Sequence, residues 1–417
     1  SVVGCKAPVG PHGAYSSQLS TLGSPAQKNL LRYLTKALTM SCSPKHCRLE
    51  PYNMFSMPPK AFTRFKSNRL FRRQFNVLLG LLSLVLVVSV AACTQPTVDT
   101  ATGDAGAAPA EFRIGYQVIP NAELLTKNLG LVEAKYPDVE IKWLPFDSGR
   151  DVNTAMVSGG IDVGLAGSVP VSTGIAQDLP YQVYFIHDII GDNEALAVTE
   201  ASGITTMADL AGKKIGVPFG STTHFSLLSA LDQEGIDPGD LTVLDMQPQD
   251  MLAAWQRGDI DGGFVWQPTL AKMLEADGNV LITAKQLAEK GVITADLGIV
   301  SKDFAAQYPD FLAGYVSVLD EAVKQYRDDP AAASEAMSEE IGLTPEESLT
   351  VMDELVWLDA SEQSGSDYMG TPDAPGTLGQ VLKDSAEFMV AQDAIPSAPE
   401  VEVYQAALFN KAFEAAK

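Results

Sequence analysis

AMVSGGIDVGLAGSVP (residues 155–170) and AAWQRGDIDGGFVWQP (residues 253–268) are two versions of one pattern. Both carry A-x3-G-x-I-D-x-G followed by a proline, offset by about ninety-nine residues, as expected of two similar lobes. In each copy a helix ends at a glycine, Gly159 or Gly258, which suits the left-handed C-cap position, and a strand follows. Asp162 and Asp261 fall at this helix-strand junction, where the plain role of a carboxylate is to orient the turn.

Outward from these copies, short apolar runs alternate with helical ones. FRIGYQVI (112–119), VEIKWLPF (139–146), IDVGLAG (161–167) and YQVYFIHDI (181–189) read as strands, with helices over Asn121 to Lys135 and Val152 to Ser158. After EALAVT (194–199) the alternation restarts with KKIGVPF, LTVLDM and IDGGFVW, separated by helices near Ser221 to Glu234, Gln249 to Arg257 and Gln267 to Ala276. ADLGIVS (295–301) is a further strand, and the remainder is mostly helical. Alternation of this kind implies α/β lobes with largely parallel sheets, whose ligands bind outside the carboxyl ends of the strands.

Several side chains fall at those ends. FGSTTH (219–224) lies between a strand and a helix, so orphan amides, the helix dipole and the hydroxyls of Ser221, Thr222 and Thr223 converge where an anion can sit; ordinary N-capping explains the same residues. A nucleotide-binding P-loop would need a lysine that is missing, and His224 lacks the G-x-S-x-G context of a serine hydrolase. AGSVP (166–170) offers a second such joint at Ser168. Glu194 precedes a strand and Asp296 sits beside one; each is a solvated loop carboxylate unless a cation occupies the cleft. Trp266 is either core or a ring placed to stack over a cation.

The charge distribution divides the chain. Residues 1–92 hold twelve Lys or Arg and one Glu, whereas the rest holds seventeen against fifty-one acids. A body that acidic is not built to bind nucleic acid or an anionic membrane surface through its overall field, so an anionic ligand must be held by local donors. Within the leader, residues 57–92 read as a signal peptide of lipoprotein type: Arg69, Arg72 and Arg73 precede an apolar run too short to span a bilayer, and VAAC (90–93) matches a lipobox that would lipidate Cys93. Residues 1–56 are expected to be an upstream extension, with Met54 or Met57 as natural initiators, and 93–110 a flexible tether. The other cysteines, Cys5, Cys42 and Cys47, all belong to the leader, so the body lacks disulfides, thiolate metal sites and cysteine nucleophiles.

From Phe112 to about Val300 the chain resembles the taurine-binding proteins of bacterial ABC importers. The resemblance is carried in order by YQ (116–117), FDSG, GSVP, NEAL, VPFGSTTH (217–224), MQP, AAWQRGDIDG, VWQP and SKDF (301–304). It implies a type II periplasmic binding protein fold of two α/β lobes: 111–197 with 298–417, and 198–297, each a mixed, mainly parallel sheet flanked by helices, joined by a two-segment hinge near Ala197 and Gly298. It also implies a monomeric receptor, periplasmic or at the cell surface, that needs no cofactor or metal, performs no chemistry, and hands taurine to a permease with a cytoplasmic ATPase. On the same ground Gln117, Ser168, Ser221, Thr222 and Thr223 would hold the sulfonate, Glu194 and Asp296 the ammonium, and Trp266 would form a wall. A sulfonate stays charged at ordinary pH, so neutral donors suffice for it, whereas an ammonium asks for acceptors. The family commonly has a tryptophan near Gly298, where this chain reads ADLG, and its loss is expected to enlarge the cleft near Asp296. A receptor for alkanesulfonates or nitrate is the competing reading of the same class. Enzymes of related fold that build the thiamine pyrimidine use a cysteine-rich motif that this body lacks, and a sensor domain would be fused to signalling modules.

Overall fold

The two repeated stretches build matching halves. A computed structural model of the chain describes residues 108–414. The expected extension, signal peptide, Cys93 and most of the tether lie outside the described residues. The first half contains β1 (Glu111–Gln117), α1 (Ala122–Asn128), α2 (Leu131–Lys135), β2 (Glu140–Phe146), α3 (Gly149–Val157), β3 (Val163–Gly167), α4 (Ser168–Ala176) and β4 (Tyr181–Ile189). The second contains β5 (Glu194–Thr199), β6 (Lys214–Val217), α5 (Thr222–Glu234), β7 (Thr242–Asp245), α6 (Pro248–Arg257), β8 (Gly262–Trp266), α7 (Thr269–Glu275), β9 (Gly278–Thr283) and α8 (Ala284–Ala288). The chain then returns through β10 (Ala295–Ser301) to the helices α9 (Lys302–Gln307), α10 (Pro309–Asp328), α11 (Pro330–Ile341), α12 (Pro345–Asp353), α13 (Ala360–Gln363), α14 (Leu378–Ala391) and α15 (Val401–Ala406).

Each half is a five-stranded sheet, ordered β2-β1-β3-β10-β4 in the first lobe and β7-β6-β8-β5-β9 in the second. In both, four strands share a direction and one runs against its two neighbours: β10 in the first sheet, β5 in the second. These reversed strands are the ones that enter from the other lobe. The lobes are therefore joined through residues 190–193 and 289–294, a few residues ahead of Ala197 and Gly298, which lie inside β5 and β10.

The repeated pattern folds as its chemistry suggests. Gly159 and Gly258 take the left-handed conformation just past α3 and at the end of α6, with φ of 69° and 72°. Asp162 accepts the backbone N–H of Arg113 at 2.8 Å, and Asp261 accepts that of Lys214 at 2.8 Å, so each carboxylate ties its junction to the neighbouring strand.

Burial explains the sequence character of the strands. β3 is wholly buried and β10 nearly so, which is why they read as continuous apolar runs. In the first lobe α10 turns Phe311, Leu312, Tyr315, Val316 and Leu319 inward, with Phe311 and Tyr315 each meeting Phe112 edge-on at 5.0 Å; such ring pairs add about 0.5–1.5 kcal/mol each to burial. In the second lobe Leu227 and Leu231 of α5 cover one face of the sheet, and Met251 and Trp255 of α6 cover the other.

Several elements depart from the sequence reading. The helix expected over Asn121 to Lys135 breaks at Gly130, whose φ is 64°, and α4 and β9 were not anticipated. No helix among the described residues is long and apolar enough to cross a membrane. The lobes are shut on each other: Arg150 pairs with Asp245 at 3.0 Å, Gln249 with Asp147 at 3.0 Å, and Gln267 with Glu354 at 3.0 Å, while Phe225 of α5 meets Phe388 of α14 at 5.1 Å.

Candidate functional site

Both sheets present their active edge to the same cleft. Gln117 ends β1, Gly167 ends β3 and Trp266 ends β8, while the reversed strands deliver Glu194 and Asp296 to that edge at their starts. Together with Ile119, Pro120, Gly149, Pro170, Asn193, Ser221, Thr222 and Gln267 they enclose a cavity of about 20 Å³. That volume has room for about one water, so any larger solute requires the lobes to part.

The lining of the cavity is rich in main-chain donors. Gly149 opens α3, Gly167 and Pro170 flank the start of α4, and Ser221 and Thr222 open α5. The first amides of these helices have no intrahelical acceptor and carry the positive ends of the helix dipoles. The hydroxyls are otherwise engaged. Ser221 Oγ caps α5 by accepting from His224 N at 3.1 Å and donates to Pro218 O at 2.6 Å. Its proton being used, the 2.8 Å contact with Thr223 is one in which Thr223 Oγ1 donates. Thr222 Oγ1 donates to Glu194 Oε1 at 2.5 Å. An anion here would meet backbone N–H groups, not the serine and threonine hydroxyls.

Two of the residues read as ligands from sequence lie outside the lining. Ser168 is fully buried, with its Oγ accepting Ala295 N at 3.2 Å, so it ties α4 to β10. Thr223 is likewise buried behind Ser221. Gln117, Glu194, Ser221, Thr222, Trp266 and Asp296 do line the cavity. His224 does not; it stacks on Phe219 at 4.6 Å, its Nδ1 accepts Gly220 N at 3.2 Å, and burial pushes its pKa down to about 4, leaving the ring neutral. Gly149, Gly167, Asn193 and Gln267 were missed. For Gln267 a signal existed, since it stands in the second copy of the repeat, just before the closing proline.

The lining is also acidic without a counter-charge. Glu194 Oε2 is buried with no hydrogen-bond partner. Burial pushes Glu194 up to about 8, with the Thr222 hydroxyl opposing and Asp296 adding to the rise. Burial raises Asp296 to about 7. Glu194 and Asp296 come from opposite sheets, and no lysine, arginine or histidine lines the cavity. Trp266 stands directly across from Glu194 in the β5–β8 register, which sets an indole beside the carboxylate.

The expected enlargement near Gly298 does not occur. A Cβ built on Gly298 would lie 2.7 Å from the Tyr184 ring, and Gly298 is absent from the lining. Tyr184 has taken the space, because a glycine on β10 lets the ring on the neighbouring strand cross it.

Comparisons with known proteins agree with this architecture. Residues 137–333 match the family described as NMT1/THI5 like. The chain is 33% identical to the taurine-binding periplasmic protein of Escherichia coli (strain K12) over 272 residues, covering 63% of this chain and 81% of that protein. It is 31% identical over 206 residues to a putative aliphatic sulfonates-binding protein of the same organism, covering 49% of this chain and 65% of that one. Among solved structures, the alkanesulfonate-binding protein SsuA from Xanthomonas axonopodis pv. citri, bound to MOPS, superposes with a TM-score of 0.61 at 24% identity, over 73% of this chain and 99% of that one. The chain thus belongs to the family of the taurine-binding periplasmic protein and has the two-lobed fold of periplasmic solute-binding proteins.

Proposed function

We propose that this protein is an extracytoplasmic receptor that captures taurine in its cleft and delivers it to an ABC-type importer. The observation that carries the proposal is the make-up of the lining: helix N-termini together with Glu194 and Asp296, the two carboxylates brought from different lobes with no cationic side chain beside them. A zwitterion with a sulfonate at one end and an ammonium at the other satisfies both. A simple alkanesulfonate or nitrate satisfies only the first and leaves two desolvated carboxylates unpaired, a penalty that selects against it. Binding without chemistry is supported by the side chains that might have acted on a ligand: Ser221 is committed to capping its helix, and His224 lies outside the cavity.

Isothermal calorimetry on the purified protein tests the reading. It should show one taurine site, with ethanesulfonate far weaker; clear heat with ethanesulfonate and none with taurine would remove the amine from the assignment. The 190–193 and 289–294 connections act as the hinge, so taurine should also shrink the radius of gyration in solution scattering.

A further inference from the structure

Behind the cleft lies a third carboxylate that the sequence reading passed over. Asp188, on β4, stands directly opposite Asp296 in the antiparallel β4–β10 register, an arrangement that sets side chains on one face with Cβ atoms about 4.5–5.5 Å apart. Asp188 is fully buried, both of its oxygens lack a hydrogen-bond partner, and it does not line the cavity. The titratable groups around it are Asp296 on β10, Glu194 on β5, the preceding His187 on its own strand, and Glu123 on α1, whose Oε1 lies 4.0 Å from His187 Nε2. His187 is no counter-charge: it is fully buried, neither ring nitrogen has a partner, and burial drives it down to about 3. Glu123 accepts a hydrogen bond from Tyr315, and burial raises it to about 8.

Two carboxylates held side by side away from water, with no cation between them, cannot both ionise near neutral pH; they titrate as a pair. We propose that Asp188 and Asp296 share one proton, with Asp188 the positioning residue: its carboxyl donates to Asp296 and so fixes one negative charge at the edge of the cavity for a cationic ligand group. Asp188 thereby contributes to the preference for an amine without touching it. The proposal rests on the reading of the cleft as a taurine site, but the shared proton can be measured without taurine.

The test uses the full chain and the variants Asp188→Asn and Asp188→Leu. Asparagine imitates the protonated carboxyl, keeping a donor and lacking the titration; leucine removes the donor. A buried acid whose folded pKa is raised withdraws stability as pH rises from the ordinary carboxylate range toward the folded value. In the absence of ligand, the melting temperature of the wild type should therefore fall more steeply between pH 5 and pH 8 than that of Asp188→Asn. At pH 7 the asparagine variant should bind taurine much as the wild type does, while the leucine variant, without a hydrogen bond to a charged group, should lose about tenfold or more in taurine affinity and little in ethanesulfonate affinity. Parallel melting profiles for wild type and Asp188→Asn would overturn the shared proton, whatever the leucine variant does. Equal loss of both sulfonates in Asp188→Asn would show Asp188 to be a packing residue only. A wild type that ignores taurine yet keeps the steeper profile would refute the taurine reading and leave the shared proton standing.

Discussion

Glu194→Gln separates the two ends of the proposed ligand. The amide keeps the shape of the side chain and can still accept from Thr222, whose hydroxyl lies 2.5 Å from Glu194 Oε1; what it removes is the charge. For taurine, losing one member of a buried charge pair costs about 2–5 kcal/mol, or at least roughly 30-fold in affinity. For ethanesulfonate the sign reverses. Closing on a ligand without an amine leaves Glu194 buried with nothing to pair with, and its pKa rises to about 8 in the shut cleft. An acid with a raised pKa is held protonated there: the cost of closure is absent below its ordinary value near 4.5, grows as pH rises through the window, and levels off above about 8. At pH 7 that cost is about 3 kcal/mol as an upper bound, since closure must then protonate a group that is ionised in water. Glutamine abolishes it, so ethanesulfonate should bind more tightly to the variant than to the wild type. Displacement calorimetry with both sulfonates at pH 7 reads the ratio directly. Equal weakening of the two ligands, or an unchanged preference, would mean that Glu194 does not read an amine.

Two glycines give further outcomes. A Cβ on Gly167 would lie 2.7 Å from Thr222 Cγ2 across the cleft, so Gly167→Ala should hinder closure and weaken taurine by about tenfold, while the melting temperature without ligand stays close to that of the wild type; a variant that binds normally would show that the lobes close along another path. Gly298→Ala forces a methyl group against the Tyr184 ring, an overpacking that costs about 1–3 kcal/mol. Its denaturation midpoint should drop, with little change in the taurine affinity of the remaining folded protein; a large loss of affinity at unchanged stability would restore Gly298 to the binding site.

The doubled stretch around Gly159 and Gly258 was legible because local chemistry governs it: a glycine past a helix, a carboxylate on the next turn and an apolar strand need no knowledge of the rest of the chain. Glu194, Asp296, Trp266 and Gln117 were placed through the family resemblance, and they do meet at the cavity. Ser168 and Thr223 stand outside the lining for a reason invisible in sequence, since a hydroxyl at a helix start can face the cleft or a neighbouring polar group, and here Ala295 N and Ser221 Oγ take them. The helix α4, SVPVSTGIA, shows no amphipathic period because almost all of it is buried, and Pro170 in its first turn costs no internal hydrogen bond. Asp188 falls near the end of the strand YQVYFIHDI, where nothing local marks it. Its burial depends on a partner 108 residues away, brought alongside by the reversed direction of β10.

That reversal also sets the mechanics of release. Glu194 is the first residue after one connection between the lobes, and Asp296 comes just after the other. With those connections as the proposed hinge, both carboxylates sit close to the pivot, where a rotation displaces atoms least. On the proposed reading the ammonium end is the first to be seated and the last to be let go. The sulfonate would meet amides divided between the lobes, at the starts of α3 and α4 on one and of α5 on the other, which separate as the lobes part. A transporter that pries the lobes apart would accordingly receive taurine with its sulfonate leading and its amine still tethered at the fulcrum.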